Sequence, residues 1–151
     1  MIYETPVKNI HGSQDVAEIF RAILNAEEPH DQSKEHFWVV GLNTKNMISF
    51  VDLVSMGSLN NCLCYPREVF RLAVMRGVYS VALCHNHPSG DTTPSAEDRE
   101  ITARLISAGE ILGIGVLDHI IICGSGYYSF CDNGFIKIKE RHHEQSKHRR
   151  I

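Results

Sequence analysis

Three features of the sequence predict an α/β fold, a mixed central sheet covered on both faces by helices in a three-layer α/β/α arrangement. Segments with helical spacing of apolar residues alternate with short β-rich runs. The run EHFWVVGL, from Glu35 to Leu42, is apolar almost throughout, as in a strand packed on both faces. The densest group of metal-ligating side chains, CHNHPSGDTTPSAED from Cys84 to Asp98, falls where a strand pattern gives way to a helical one. In α/β folds that is where chemistry gathers.

In chain order, the segment through Gly12 reads as extended or irregular. Ser13 is placed to cap a helix to about Asn25, with Val16, Ile19, Phe20, Ile23 and Leu24 as its apolar stripe. The polar stretch AEEPHDQSK, which holds Pro29, reads as a loop. After the strand Glu35 to Leu42 come a turn over 43–46 and an antiparallel partner from Met47 to Ser55. Trp38, Met47 and Met56 are assigned to core or half-buried packing. The connection from Gly57 to Cys64 carries no readable pattern. Pro66 then opens a helix to about Arg76, with Val69, Phe70, Ala73 and Val74 inward and Gly77 as its stop. A strand from Val78 to Cys84, a loop from His85 to Pro94 and a helix from Ser95 to Ala108 follow. A β-rich run from Leu112 to Ile122 and a short strand from Tyr127 to Cys131 complete the order.

His85, His87 and Asp98 are the ligand types that zinc uses when it keeps a fourth position open for water. The two histidines can converge on one ion if the chain bends at Pro88 and Gly90, with the carboxylate arriving from the next helix. Asp98 shares a helical stripe with Ile101, Leu105 and Ala108, so it faces inward. An unpaired charge is expensive there, and a bound cation would remove the expense. The competing structural reading makes Ser95 an N-cap and Asp98 its capping-box partner, which accounts for Asp98 but for neither histidine. Asp118 and His119 point to opposite faces of their strand, so at most one of them approaches the site. That one can orient a ligating histidine, the alternative being an internal polar pair or a sheet-edge position.

The pattern His85-x-His87-Pro88, with seven residues between His87 and Ser95 and then Asp98, resembles the JAMM (MPN-plus) metalloprotease motif, and HNHPSGDTTPSAEDREI resembles the bacterial RadC subfamily. The resemblance extends upstream to EHFWVVGLNTKN and SMGSLNNCLCYPREVFRLAV and downstream to LGIGVLDHIIICGSGYYSF, covering residues 34–134. It implies a JAB/MPN domain of cytidine deaminase-like architecture, with Zn2+ held by His85, His87 and Asp98. Glu35 falls on the family's catalytic glutamate, base and then acid, and Ser95 on the serine that stabilises the oxyanion. On composition alone Glu35 would be a surface charge. The implied activity is a zinc-dependent metallopeptidase or isopeptidase attacking an amide carbonyl. The implied layout is a helical extension over 1–30 of the same domain, a catalytic domain over 31–136 and a basic tail over 137–151. It corresponds to a short form expected to lack the helix-hairpin-helix region of longer members.

Composition fits one domain: 151 residues with 43% hydrophobic content are too apolar for a disordered chain. No apolar run approaches the length of a membrane helix, and the first residues lack a signal-peptide pattern, so a cytoplasmic protein is expected. Five cysteines, an odd number, argue against a complete disulfide framework. Cys62 and Cys64 would need Cys84, Cys123 or Cys131 on distant strands to form a second zinc site. Residues 137–151 carry six Lys/Arg against two Glu, so a +4 tail sits on a −7 body, a poor general surface for nucleic acid. A DNA-associated repair factor or nuclease-like protein using the same metal site is the alternative reading, and only the tail supports it. The resemblance implies a polypeptide or isopeptide-linked protein substrate, and Ser58, Asn60, Asn61 and Asp91 offer polar contacts without a basic cluster, which makes a polyanionic substrate less natural. His142, His143 and His148 read as adventitious metal binders. There is no P-loop, no Gly-x-Ser-x-Gly elbow and no Cys-x-x-Cys of the zinc deaminases.

Overall fold

The computed structural model describes residues 9–57 and 64–137. Ser58, Asn60, Asn61, Cys62, the three histidines after residue 140 and the tail beyond Lys137 lie outside the described residues. The elements are α1 (Ser13–Ala26), α2 (Pro29–Gln32), β1 (Glu35–Leu42), β2 (Ile48–Gly57), α3 (Pro66–Arg76), β3 (Ser80–Asn86), α4 (Ala96–Leu112), β4 (Gly115–Ile122) and β5 (Tyr127–Ser129). The strands form one mixed sheet in the order β2-β1-β3-β4-β5. β1 is antiparallel to both neighbours, β3 and β4 are parallel across the α4 crossover, and β5 returns antiparallel. Because β1 and β3 run in opposite directions, the start of β1 lies beside the end of β3.

The period of two divides each strand between two cores. Trp38, Val40, Leu42, Ala82, Cys84, Ile120 and Ile122 pack with Val16, Ile19, Phe20 and Ile23 of α1. Phe37, Val39, Val81 and Leu83 pack with Val69, Phe70 and Ala73 of α3 and with Ile101 and Leu105 of α4. The expected α/β/α layering is therefore present. Fully burying one such large apolar side chain contributes roughly 1.5–3 kcal/mol, so both layers hold the sheet.

Element boundaries depart from expectation where hydrogen bonds override pattern. α1 is capped by Gly12 without a side-chain bond, while the Ser13 hydroxyl donates to Asp132 Oδ2 at 2.6 Å. That ties the helix start to the chain after β5. Pro29 sits at the first position of a four-residue helix within the expected loop. β3 begins at Ser80 because Val78 and Tyr79 finish the turn after Gly77, donating to the Ala73 and Leu42 carbonyls. It continues through His85 and Asn86, which stay in register with Ile121 and Ile122 of β4. α4 runs on to Leu112, past the expected end at Ala108, and stops at left-handed Gly113. Gly109 lets the chain leaving α4 turn back tightly before β4, because a Cβ there would collide with the Ile114 carbonyl oxygen. Met47 and Met56 were expected in or near the core but are 40% and 44% exposed, on the edge strand β2 and the turn before it. Val74, expected to face inward, lies on the outer flank of α3 and is 55% exposed. Among the described residues Cys64, Cys84, Cys123 and Cys131 are free, and no helix is long and apolar enough to cross a membrane.

Candidate metal centre

The end of β3 and the first turn of α4 bring three side chains together. His85 and His87 project from one strand end, and Asp98 reaches them from the third position of α4. His85 Nε2 lies 3.0 Å from His87 Nε2 and 3.2 Å from Asp98 Oδ1, and His87 Nε2 lies 3.3 Å from Asp98 Oδ2. An ion bound tetrahedrally with bonds of about 2.0–2.1 Å needs donor atoms about 3.3 Å apart. The spacing fits.

Hydrogen bonds outside the triad show where the protons are. Thr102 Oγ1 lies 2.6 Å from the Asp98 carbonyl oxygen and 2.6 Å from His119 Nδ1. The carbonyl can only accept, so the hydroxyl donates to it and His119 Nδ1–H donates to the hydroxyl oxygen. His119 Nε2 then carries a lone pair and accepts Nδ1–H of His85 at 2.7 Å. His87 donates Nδ1–H to the Asp91 carbonyl at 2.7 Å. In the neutral rings both Nε2 atoms are therefore left bare, facing each other and a carboxylate. Such a set is repulsive until a proton or a cation enters it, and a metal ion fits its donor atoms.

Burial favours the neutral form of His85 and His119, whereas Asp98 favours the charged form of His87. Burial pushes His119 well below the usual histidine range and lowers His85 as well, against the pull of Asp98. His87, less buried, is raised by its hydrogen bond to Asp98. Burial alone would raise the Asp98 carboxyl, but the two histidines and the Ser95 N–H outweigh it and hold Asp98 far below the carboxylate range. Phe37 stacks on His85 and Phe130 on His119, walling the rings with apolar surface.

The capping reading of Ser95 and Asp98 also holds. Asp98 N–H donates to Ser95 Oγ at 3.0 Å, and Asp98 Oδ2 accepts from Ser95 N–H at 2.8 Å. The box fixes the carboxylate that the histidines face, so the two readings are one structure. Glu35 is half-buried at the start of β1. The β1–β3 register ends at Phe37↔His85, so Glu35 lies two residues beyond the last pair, at the end of the sheet where His87 leaves β3. Its charge raises the proton affinity of both His85 and His87. Of the adjacent polar pair, His119 approaches the site, while Asp118 turns away to accept from Ser129 and the backbone of Cys131. Sequence reasoning missed Thr102, although it lies one turn beyond Asp98 on the inward stripe, and it missed Asn86 between the two histidines.

Fold and centre together define a JAB/MPN-type α/β domain with a His–His–Asp cluster that can hold a metal ion. The family model described as RadC-like JAB domain matches residues 10–135, and the chain belongs to that family. It is 54% identical over 115 residues to a UPF0758 protein of Caldanaerobacter subterraneus subsp. tengcongensis, covering 71% of this chain and 49% of that protein. A UPF0758 protein of Symbiobacterium thermophilum is 52% identical over 104 residues, covering 69% and 44% respectively. One from Methanosarcina mazei is 44% identical over 134 residues, covering 89% and 56%. The chain thus spans about half the length of the curated relatives it matches.

Proposed function

We propose that this domain is a zinc-dependent hydrolase of peptide or isopeptide bonds, with His85, His87 and Asp98 as ligands and Glu35 as general base and acid. The observation that carries the reading is the proton inventory: both Nε2 atoms and the Asp98 carboxylate converge with their protons committed elsewhere. Zinc, when bound there, supplies a Lewis acid and an activated water at neutral pH. Glu35 accepts the water's proton and returns it to the leaving amine, so the carbonyl carbon gains an oxygen as the C–N bond breaks. Ser95 accepts from Asp98 N–H and keeps its own hydroxyl proton to donate to the oxyanion. Losing such a donor costs about 10²–10³ in turnover. The substrate is a polypeptide or an isopeptide-linked protein.

The test compares wild type with H87A, D98A and E35Q. Wild type and E35Q should carry about one zinc per chain, and the other two should lose it. Wild type alone should cleave members of a peptide library or an isopeptide-linked set, with single-stranded and duplex DNA left intact. Unchanged metal content in H87A and D98A would refute the ligand set, and Glu35-dependent DNA breakage with both peptide sets untouched would replace the reaction.

A further inference from the structure

We propose that Asn86 is a positioning residue for Glu35, its side-chain amide continuing the β3 side of β1 beyond the last backbone pair. The inference rests on the reading of Glu35 as the proton-transfer group. The β1–β3 ladder runs from Leu42↔Ser80 to Phe37↔His85, and its next pairs would be His36 with Asn86 and Glu35 with His87. By then the β3 backbone has turned to its other neighbour, since His87 N–H donates to the Ile122 carbonyl at 2.9 Å. The Asn86 side chain takes over. Its Oδ1 accepts His36 N–H at 2.6 Å, and its Nδ2 donates to the Lys34 carbonyl at 2.9 Å.

Those two bonds fall on the two peptide groups that flank the Cα of Glu35. The Lys34 carbonyl belongs to the peptide before it, and the His36 N–H to the peptide after it. Each peptide is planar, so holding both planes fixes φ and ψ of Glu35, the two soft torsions that aim its side chain. A primary amide is the one short side chain that offers both a donor and an acceptor in peptide-like geometry. Asn86 is 2% exposed, so water does not compete for either bond. His36 adds a second hold: Nδ1 donates to the same Lys34 carbonyl at 2.9 Å, and its ring stacks on Trp38 at 4.9 Å. A general base must stay within hydrogen-bond reach of the proton it takes, and the clamp supplies that constancy.

The experiment uses the full chain with Co2+ as probe, so it does not wait on a substrate. N86A should accelerate hydrogen exchange at the His36 amide by about 10- to 100-fold while exchange at Val39 and Leu83 stays within about threefold. Metal stoichiometry should be unchanged. The visible spectrum of bound Co2+, which senses groups hydrogen-bonded at its open position, should change in N86A as it does in E35Q. The double variant should match E35Q alone. If N86A fails to fold, Asn86→Asp keeps the acceptor for His36 and removes the donor to Lys34; it should show the E35Q-like spectrum with the His36 amide still protected. A wild-type spectrum in N86A or N86D, or additive changes in the double variant, overturns the role of Asn86 and leaves that of Glu35 standing. An unchanged spectrum in E35Q removes the reading of Glu35 and this inference with it.

Discussion

Asp98 and Asp118 are equally buried, 5% and 6% exposed, yet their surroundings drive their acidities in opposite directions. Asp118 is enclosed by donors from the chain: His119 N–H at 2.7 Å, the Ser129 hydroxyl at 2.6 Å and Cys131 N–H at 3.0 Å. Burial still leaves its carboxyl raised, only partly offset by those bonds. Asp98 receives the Ser95 N–H and otherwise faces two imidazole nitrogens whose protons are spent elsewhere. Asp118 closes a finished network that holds β5 to β4, whereas Asp98 belongs to a set of acceptors short of a positive partner. A buried carboxylate does not by itself mark a site. Missing donors do.

The largest effect that would break this contrast is on metal affinity. D98A should lose more than the roughly 10- to 100-fold that an outer hydrogen-bond partner costs, while D118N should bind as wild type. Competition against a chromophoric chelator measures both, and similar losses in the two variants would erase the distinction. T102V comes next. It removes the hydroxyl that sets the His119 tautomer, and metal affinity should fall about 10- to 100-fold, whereas S129A on the other network should leave it unchanged. A T102V protein with full affinity would show that the proton chain is not needed.

The smallest effects are on stability. D118N turns an amide toward donors and should cost about 1–3 kcal/mol in urea unfolding, with metal content preserved. Its pH dependence sharpens the comparison. The Asp118 carboxyl is raised in the folded state, so its contribution is full below the unfolded value of about 3.9 and is lost as pH rises through the folded value. Asp98, held low, has the opposite sign: its contribution is present above about 3.9 and is lost on acidification. The advantage of metal-free wild type over D118N should therefore shrink as pH rises from 4 toward 7. An advantage that grows over that range would contradict the assignment.

The metal-capable triad was legible because its members lie within one short stretch and belong to types that zinc favours. The two-sided burial of β1 was legible from its unbroken apolar run. Other features depend on partners distant in sequence. Thr102 reads as an ordinary helix residue until β4 brings His119 against it. Asn86 falls on the opposite face from its neighbours by the period of two, which conceals that its amide works in the plane of the sheet. Met47, Met56 and Val74 show that apolar spacing reports composition, while burial depends on which strand is at the edge and which helix flank is covered. Glu35 looks like a surface charge until the β1–β3 register is known, and only the family resemblance had singled it out.

The close approach at Gly109 has a consequence at the far end of its helix. Asp98 lies eleven residues earlier on the same rod, about 16 Å away at 1.5 Å per residue. The glycine lets the turn through Ile114 fold back against the helix, and that turn joins α4 to the sheet in which the two histidines are rooted. Ligand constellations tolerate errors of only about 0.5 Å, and even a methyl group at Gly109 would have to lift the rod away from the Ile114 carbonyl. The junction of α4 with the sheet is thus made at the end of the helix that touches none of the donor atoms.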